Sequence, residues 1–193
     1  MMSVNETLFL WINGLAGKSP LLDESLKGVA NDYFFITSSC LVLLALWFGT
    51  RKIHQREKNQ KAIMGASVSL GIATGTVRIF NLFYFTPRPF TELPTNLLFY
   101  QPTDPSFPSH SAAVIFAIAV AILLADRKAG IFLLFLAFLV GFARIYVGIH
   151  YPLDILGGVA IGALSALLIF TLIRLLEPWP SRLLGLIRRF YLA

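Results

Sequence analysis

The stretch Arg144-Ile145-Tyr146-Val147-Gly148-Ile149-His150-Tyr151-Pro152-Leu153-Asp154 joins two long apolar runs, 130–146 and 152–175. Charged side chains at the edge of an apolar span are costly and seldom incidental. Gly148 releases the first helix and Pro152 suits the first turn of the next, which places His150 in a turn between two antiparallel helices. Asp154 then lies one helical turn beyond His150. Its carboxylate can accept from one imidazole nitrogen and leave the other free to attack. Arg144, at the end of the earlier run, adds a planar cation suited to an oxyanion.

Working outward, the 193 residues allow one domain, and a hydrophobic content of 56% is well above a soluble average. Mean hydropathy is +0.73. Several runs approach the roughly 20 apolar residues that cross a bilayer. The pattern predicts an all-α integral membrane protein, an antiparallel transmembrane bundle. Five spans are expected, at 33–50, 62–85, 109 to the Asp126-Arg127-Lys128 turn, 130–146 and 152–175. A short stretch at 6–16, with Trp11 at headgroup level, reads as an interfacial or re-entrant helix and brings the total to six. Residues 51–61 read as a basic loop, 90–107 as a Pro- and Thr-rich loop, and 176–193 as a tail whose 179–191 segment is amphipathic. Gly157, Gly158, Gly162 and Ala163 offer a small-residue face for close helix packing.

The net charge of +6 comes mostly from residues that flank apolar runs. Orientation explains it better than nucleic acid, which is not expected as a partner. With five spans, 51–61, Arg127-Lys128 and the tail arginines Arg174, Arg182, Arg188 and Arg189 share the cytoplasmic side. The expected location is a membrane, crossed several times. Cys40 is the one cysteine, so no intrachain disulfide can form, and His54 belongs to the basic loop. No removable signal peptide is expected at the N-terminus.

Two further polar patches fall on the outward side with the 144–154 stretch: Pro87-Arg88-Pro89 and Pro108-Ser109-His110-Ser111. Taken singly, each patch reads as a helix cap or a snorkelling anchor. Convergence of three on one side predicts a single site. Arg88, held between prolines, presents a rigid guanidinium fork to phosphate oxygens. Ser109 and His110 open a helix whose free N–H groups attract an anion, and His110 can protonate a leaving oxygen. Asp154 alone among the acidic residues sits at the heart of this site, with Glu92 and Asp104 in its loop. That supply of carboxylates suits no divalent metal. The arginines are expected to neutralise phosphoryl charge without metal or cofactor.

These residues resemble the type 2 phosphatidic acid phosphatase superfamily, whose membrane members share a helical core with vanadium haloperoxidases. Arg144, His150 and Asp154 match its third motif in spacing, Arg88-Pro89 its first and Pro108-Ser109 its second. The resemblance covers residues 62–175 and implies a catalytic core there. It implies His150 as the nucleophile that becomes a phosphohistidine, Asp154 as its partner, and Arg88, Arg144 and Ser109 as the phosphate cradle. Three positions depart from the pattern. The motif lysine falls at Asn81, with Arg78 one turn earlier as a substitute cation, and the serine before Arg144 is Ala143. The motif histidine comes one place early, leaving either His110 or Ser111 at the general-acid position. Within the superfamily, Phe85-Thr86-Pro87-Arg88-Pro89-Phe90 is most similar to bacterial undecaprenyl-diphosphate phosphatases of the bacitracin-resistance type. The implied substrate is an isoprenoid or glycerolipid phosphate drawn from membrane lipids. Phosphatidylglycerophosphate, phosphatidic acid and lipid A phosphatases are the alternatives. A phosphotransferase, or a lipid-binding or transport protein on the same fold, completes the set.

Overall fold

A computed structural model describes residues 2–49 and 52–189, and within them the chain is helical with no strand. The 6–16 stretch becomes α1 (Val4–Asn13), opened by a capping box in which Ser3 Oγ accepts from Glu6 N and Glu6 accepts from Ser3 N. Trp11 and Leu8 are exposed along it, while Phe9 and Asn13 are buried. A helix that the sequence reading missed follows, α2 (Pro20–Ala30), with proline at its first position and Leu26 and Ala30 turned inward. It meets α3 (Asp32–Phe48) at Asn31 with a bend of 61°.

The expected loop at 51–61 is corrected. Helix α4 (Ile53–Phe83) runs 31 residues and includes 53–61; Arg51 and Thr50 lie outside the described residues. Arg, Glu, Lys and Gln are good helix formers, so a charged stretch need not break a helix that is leaving the apolar region. Asn59 and Gln60 are buried, and Lys61 pairs with Glu57 at 3.1 Å and with Glu177 at 2.6 Å. Helix α4 stops at Tyr84 ahead of Pro87-Arg88-Pro89, and a single turn, α5 (Pro89–Glu92), follows.

The remaining helices are α6 (His110–Leu123), α7 (Arg127–Tyr146), α8 (Pro152–Leu175) and α9 (Trp179–Arg189). Among the described residues α4, α7 and α8 are long and apolar enough to cross a membrane, and the bent pair α2–α3 would make a fourth such span. The chain is a membrane-embedded helical bundle. Helix α6, expected to span, has only 14 residues and is the central rod of the bundle, packed against α4, α7 and α8. Ile115, Phe116, Ala119 and Ile122 of α6 meet Leu133, Leu136 and Val140 of α7 in the main core. Asp126 caps the tight α6–α7 turn. From that shared turn α6 ends about six residues, or roughly 9 Å, short of α7, so its N-terminus is recessed within the bundle.

Glycines set the closeness of α8 to α6. A Cβ at Gly158 would lie 2.5 Å from the Ser109 carbonyl oxygen, and one at Gly162 would lie 2.4 Å from that of Ala113. The small-residue face therefore fixes where Ser109 stands. In α9, Leu184 is buried against the bundle while Trp179, Leu183 and Leu186 are exposed. Tyr191, at the expected end of the amphipathic tail, lies outside the described residues.

Candidate active site

Gly148 adopts φ +91°, which ends α7 at Tyr146 and turns the chain so that His150 points back toward Ser109 and Arg88. A Cβ at this glycine would also meet Thr95 Cγ2 at 2.6 Å. Asn13 of α1 braces the same turn. Its Nδ2 donates to the Tyr146 carbonyl at 2.8 Å and to that of Asn96 at 3.0 Å, and its Oδ1 accepts from Asn96 N at 2.8 Å. The N-terminal helix, expected only to anchor the chain, helps to shape the site.

His150 is buried, 3% exposed, and its two nitrogens face different partners. Nε2 lies 3.3 Å from Ser109 Oγ and 3.5 Å from Arg88 Nη1. Nδ1 lies 3.5 Å from Asp154 Oδ2, longer than a formed hydrogen bond. Here the expected Asp154–His150 hydrogen bond is corrected to a close approach, because Oδ2 already accepts from Ser106 Oγ at 2.5 Å and from Tyr151 N at 2.7 Å. Burial pushes the imidazole below its ordinary value of 6.5; Asp154 opposes that shift, and the charges of Arg88 and Arg144 reinforce it.

Arg88 caps α5 and is 5% exposed. Its Nε and Nη2 donate to the carbonyl and carboxylate of Asp104, both at 2.9 Å, and Nη1 donates to the Ile149 carbonyl at 2.8 Å. Arg144, 4% exposed in the last turn of α7, donates from Nη2 to Asp32, while its Nε is buried with no partner among the described residues. Ser109 is the N-cap of α6, and its amide donates to the Asp154 carbonyl at 3.0 Å, which docks the α6 N-terminus onto α8.

A cavity of about 350 Å³ brings together Arg88, Arg144, His150, His110 and Ser111. Asp32, Asp104 and Tyr100 complete its polar rim, and Phe35, Ile36, Val114, Ile115 and Val140 form an apolar wall. Arg78 and Asn81 are not among its lining residues. Helix α4 turns Ala73 and Val77 inward, and Arg78, one step of about 100° further round, is exposed. Asp32 was missed by sequence reading; its one local signal, Asn31 as an N-cap, announces a helix start and nothing more. Ser106 was missed for the same reason, its role being a contact with Asp154 48 positions away. Among the described residues no cluster of three His, Cys, Asp or Glu side chains is placed to hold a metal. The arrangement pairs a buried imidazole with two guanidiniums, a helix N-terminus and an exposed histidine, a set suited to phosphoryl transfer.

Residues 62–177 match the PAP2 superfamily. "Undecaprenyl-diphosphatase BcrC" of Bacillus subtilis (strain 168) is 33% identical over 178 residues, 91% of this chain and 88% of that protein. "Bacitracin transport permease protein BcrC" of Bacillus licheniformis is 32% identical over 168 residues, 86% of this chain and 79% of that protein. The crystal structure of Aquifex aeolicus LpxE superposes with a TM-score of 0.71 at 29% identity, covering 88% of this chain and 96% of that one. The chain belongs to the PAP2 superfamily and is a membrane lipid phosphatase.

Proposed function

We propose that this PAP2 phosphatase removes the terminal phosphate of undecaprenyl diphosphate through a phosphohistidine on His150, without a metal ion, to return the carrier lipid for reuse. The observation that carries the reading is the geometry of His150, which lines the cavity with Nε2 beside Ser109 and Arg88 and Nδ1 facing Asp154. The lone pair of Nε2 attacks the terminal phosphorus as the bridging P–O bond breaks. Undecaprenyl phosphate leaves with a proton from His110. Water, deprotonated by His110, then attacks the phosphohistidine; the N–P bond breaks and its electrons return to Nε2. Arg88, Arg144 and Ser109 hold the equatorial oxygens, and neither Arg78 nor Asn81 is assigned a part. We place the catalytic core at 62–175 and the site on the extracytoplasmic side, because the basic residues Lys61, Arg127, Lys128 and Arg174 gather at the opposite end of the bundle.

Purified protein should release phosphate from undecaprenyl diphosphate in the presence of a chelator. Complete dependence on added magnesium would contradict the metal-free chemistry. The imidazole must be neutral to attack, and burial lowers its proton affinity. Neutral His150 therefore persists as the pH falls below 6.5, and the acid limb of kcat/KM is expected below that value. An acid limb above it would show that a different group limits the reaction.

The name of the B. licheniformis relative favours transport as a second reading. Bacitracin resistance conferred by the wild-type chain and kept by a His150→Gln variant without phosphatase activity would show transport beside hydrolysis.

A further inference from the structure

Both guanidiniums of the site carry an aspartate, but in different ways. Asp104 fills the side-on fork of Arg88, taking Nε through its carbonyl and Nη2 through its carboxylate. Asp32 takes Nη2 of Arg144, and among the described residues the adjacent Nε of the same fork is buried without a partner. A fork built for two oxygens is thus held by one. The partners are unequally placed, since Arg144 is 4% exposed and Asp32 stands 47% exposed at the bend between α2 and α3. The carboxylate can turn into water at small cost, whereas the guanidinium cannot. Tyr100 Oη lies 3.3 Å from Asp32 Oδ2 and Ser111 Oγ lies 3.5 Å from Oδ1, so hydroxyls remain beside a displaced carboxylate.

We propose that Asp32 is a displaceable counter-anion that competes with phosphate for Arg144. An arriving phosphoryl group offers two oxygens to Nε and Nη2 and outbids a single carboxylate oxygen. When inorganic phosphate forms, Asp32 retakes Nη2 and helps to expel it. Asp32 thereby limits product retention at a site whose cations would otherwise hold phosphate tightly. The inference rests on the reading above that Arg144 holds the phosphoryl group.

The test is equilibrium binding of inorganic phosphate to the purified full chain in detergent, read from the phosphate-dependent rise in thermal stability. Asp32→Asn should tighten phosphate by about two- to fivefold, the upper part of the range for losing a half-exposed competing ion pair. Asp32→Ser, which keeps a good helix-start residue, should do the same. Arg144→Gln should weaken phosphate. Unchanged or weaker binding in both Asp32 variants, with Arg144→Gln still weakening it, would overturn the competitor role and show Asp32 merely orienting Arg144. If Arg144→Gln binds phosphate as the wild type does, the phosphate-cradle reading fails and the proposal with it.

Discussion

Replacing His150 by Gln should reduce turnover of undecaprenyl diphosphate by about 10⁴- to 10⁶-fold, the scale of loss when a covalent nucleophile is removed. The substitution keeps a side chain of similar reach but removes the ring nitrogen that faces Ser109 and Arg88. The cradle should survive, because Arg88 is held by Asp104 and the Ile149 carbonyl rather than by the imidazole. Substrate should therefore still bind, and the defect should fall on kcat with KM little changed. A variant losing only about tenfold would show that water attacks directly and that His150 is a binding group.

His110→Ala should discriminate between substrates. A lipid phosphomonoester leaves as a basic alkoxide that needs a proton, whereas undecaprenyl diphosphate leaves as a far less basic lipid phosphate. Loss of the general acid should slow phosphoenzyme formation from monoesters by about 10² to 10⁴-fold and from the diphosphate by much less, while the later hydrolysis step, which His110 serves as base, slows equally for both. His110 opens α6, is exposed and lines the cavity. Ser111 lines the same cavity, but its hydroxyl is directed at Asp32. Ser111→Ala should be nearly silent with both substrate classes. The reverse pattern, a crippled Ser111→Ala beside an active His110→Ala, would move the general acid to position 111.

The parts of this fold that could be read from sequence are those whose cause is local. Pro152 starts α8, Gly148 ends α7 through a left-handed turn, and Pro87 and Pro89 stop α4; each acts through its own backbone. The three patches that supply Arg88, Ser109 and His150 converge because each sits at a helix end on one side of the bundle. Charge was a poorer guide. The run at 53–61 looked like a loop because lysines and arginines end an apolar span, yet they do not end a helix. Helix α2 has no apolar run long enough to suggest a span, with charged Asp23, Glu24 and Lys27 set among its leucines. What stayed hidden depends on contacts between distant segments. Asp32 meets Arg144 across 112 positions, and Asn13 reaches Tyr146 across 133. The outward direction of Arg78 depends on the helical phase of α4 against α6, which the interlocking of Ala73 and Val77 with Ala113 and Ala117 decides.

The central claim is a covalent phosphate on His150 formed without metal. Undecaprenyl diphosphate labelled in its terminal phosphate should be mixed with the full chain in chelator, quenched within a turnover in strong base, and digested for mass mapping. The account predicts an acid-labile, base-stable phosphoramidate on the peptide that contains His150, absent from the His150→Gln variant. Phosphate mapped to a serine, to His110, or to no residue while labelled inorganic phosphate is still released in a burst, would contradict it.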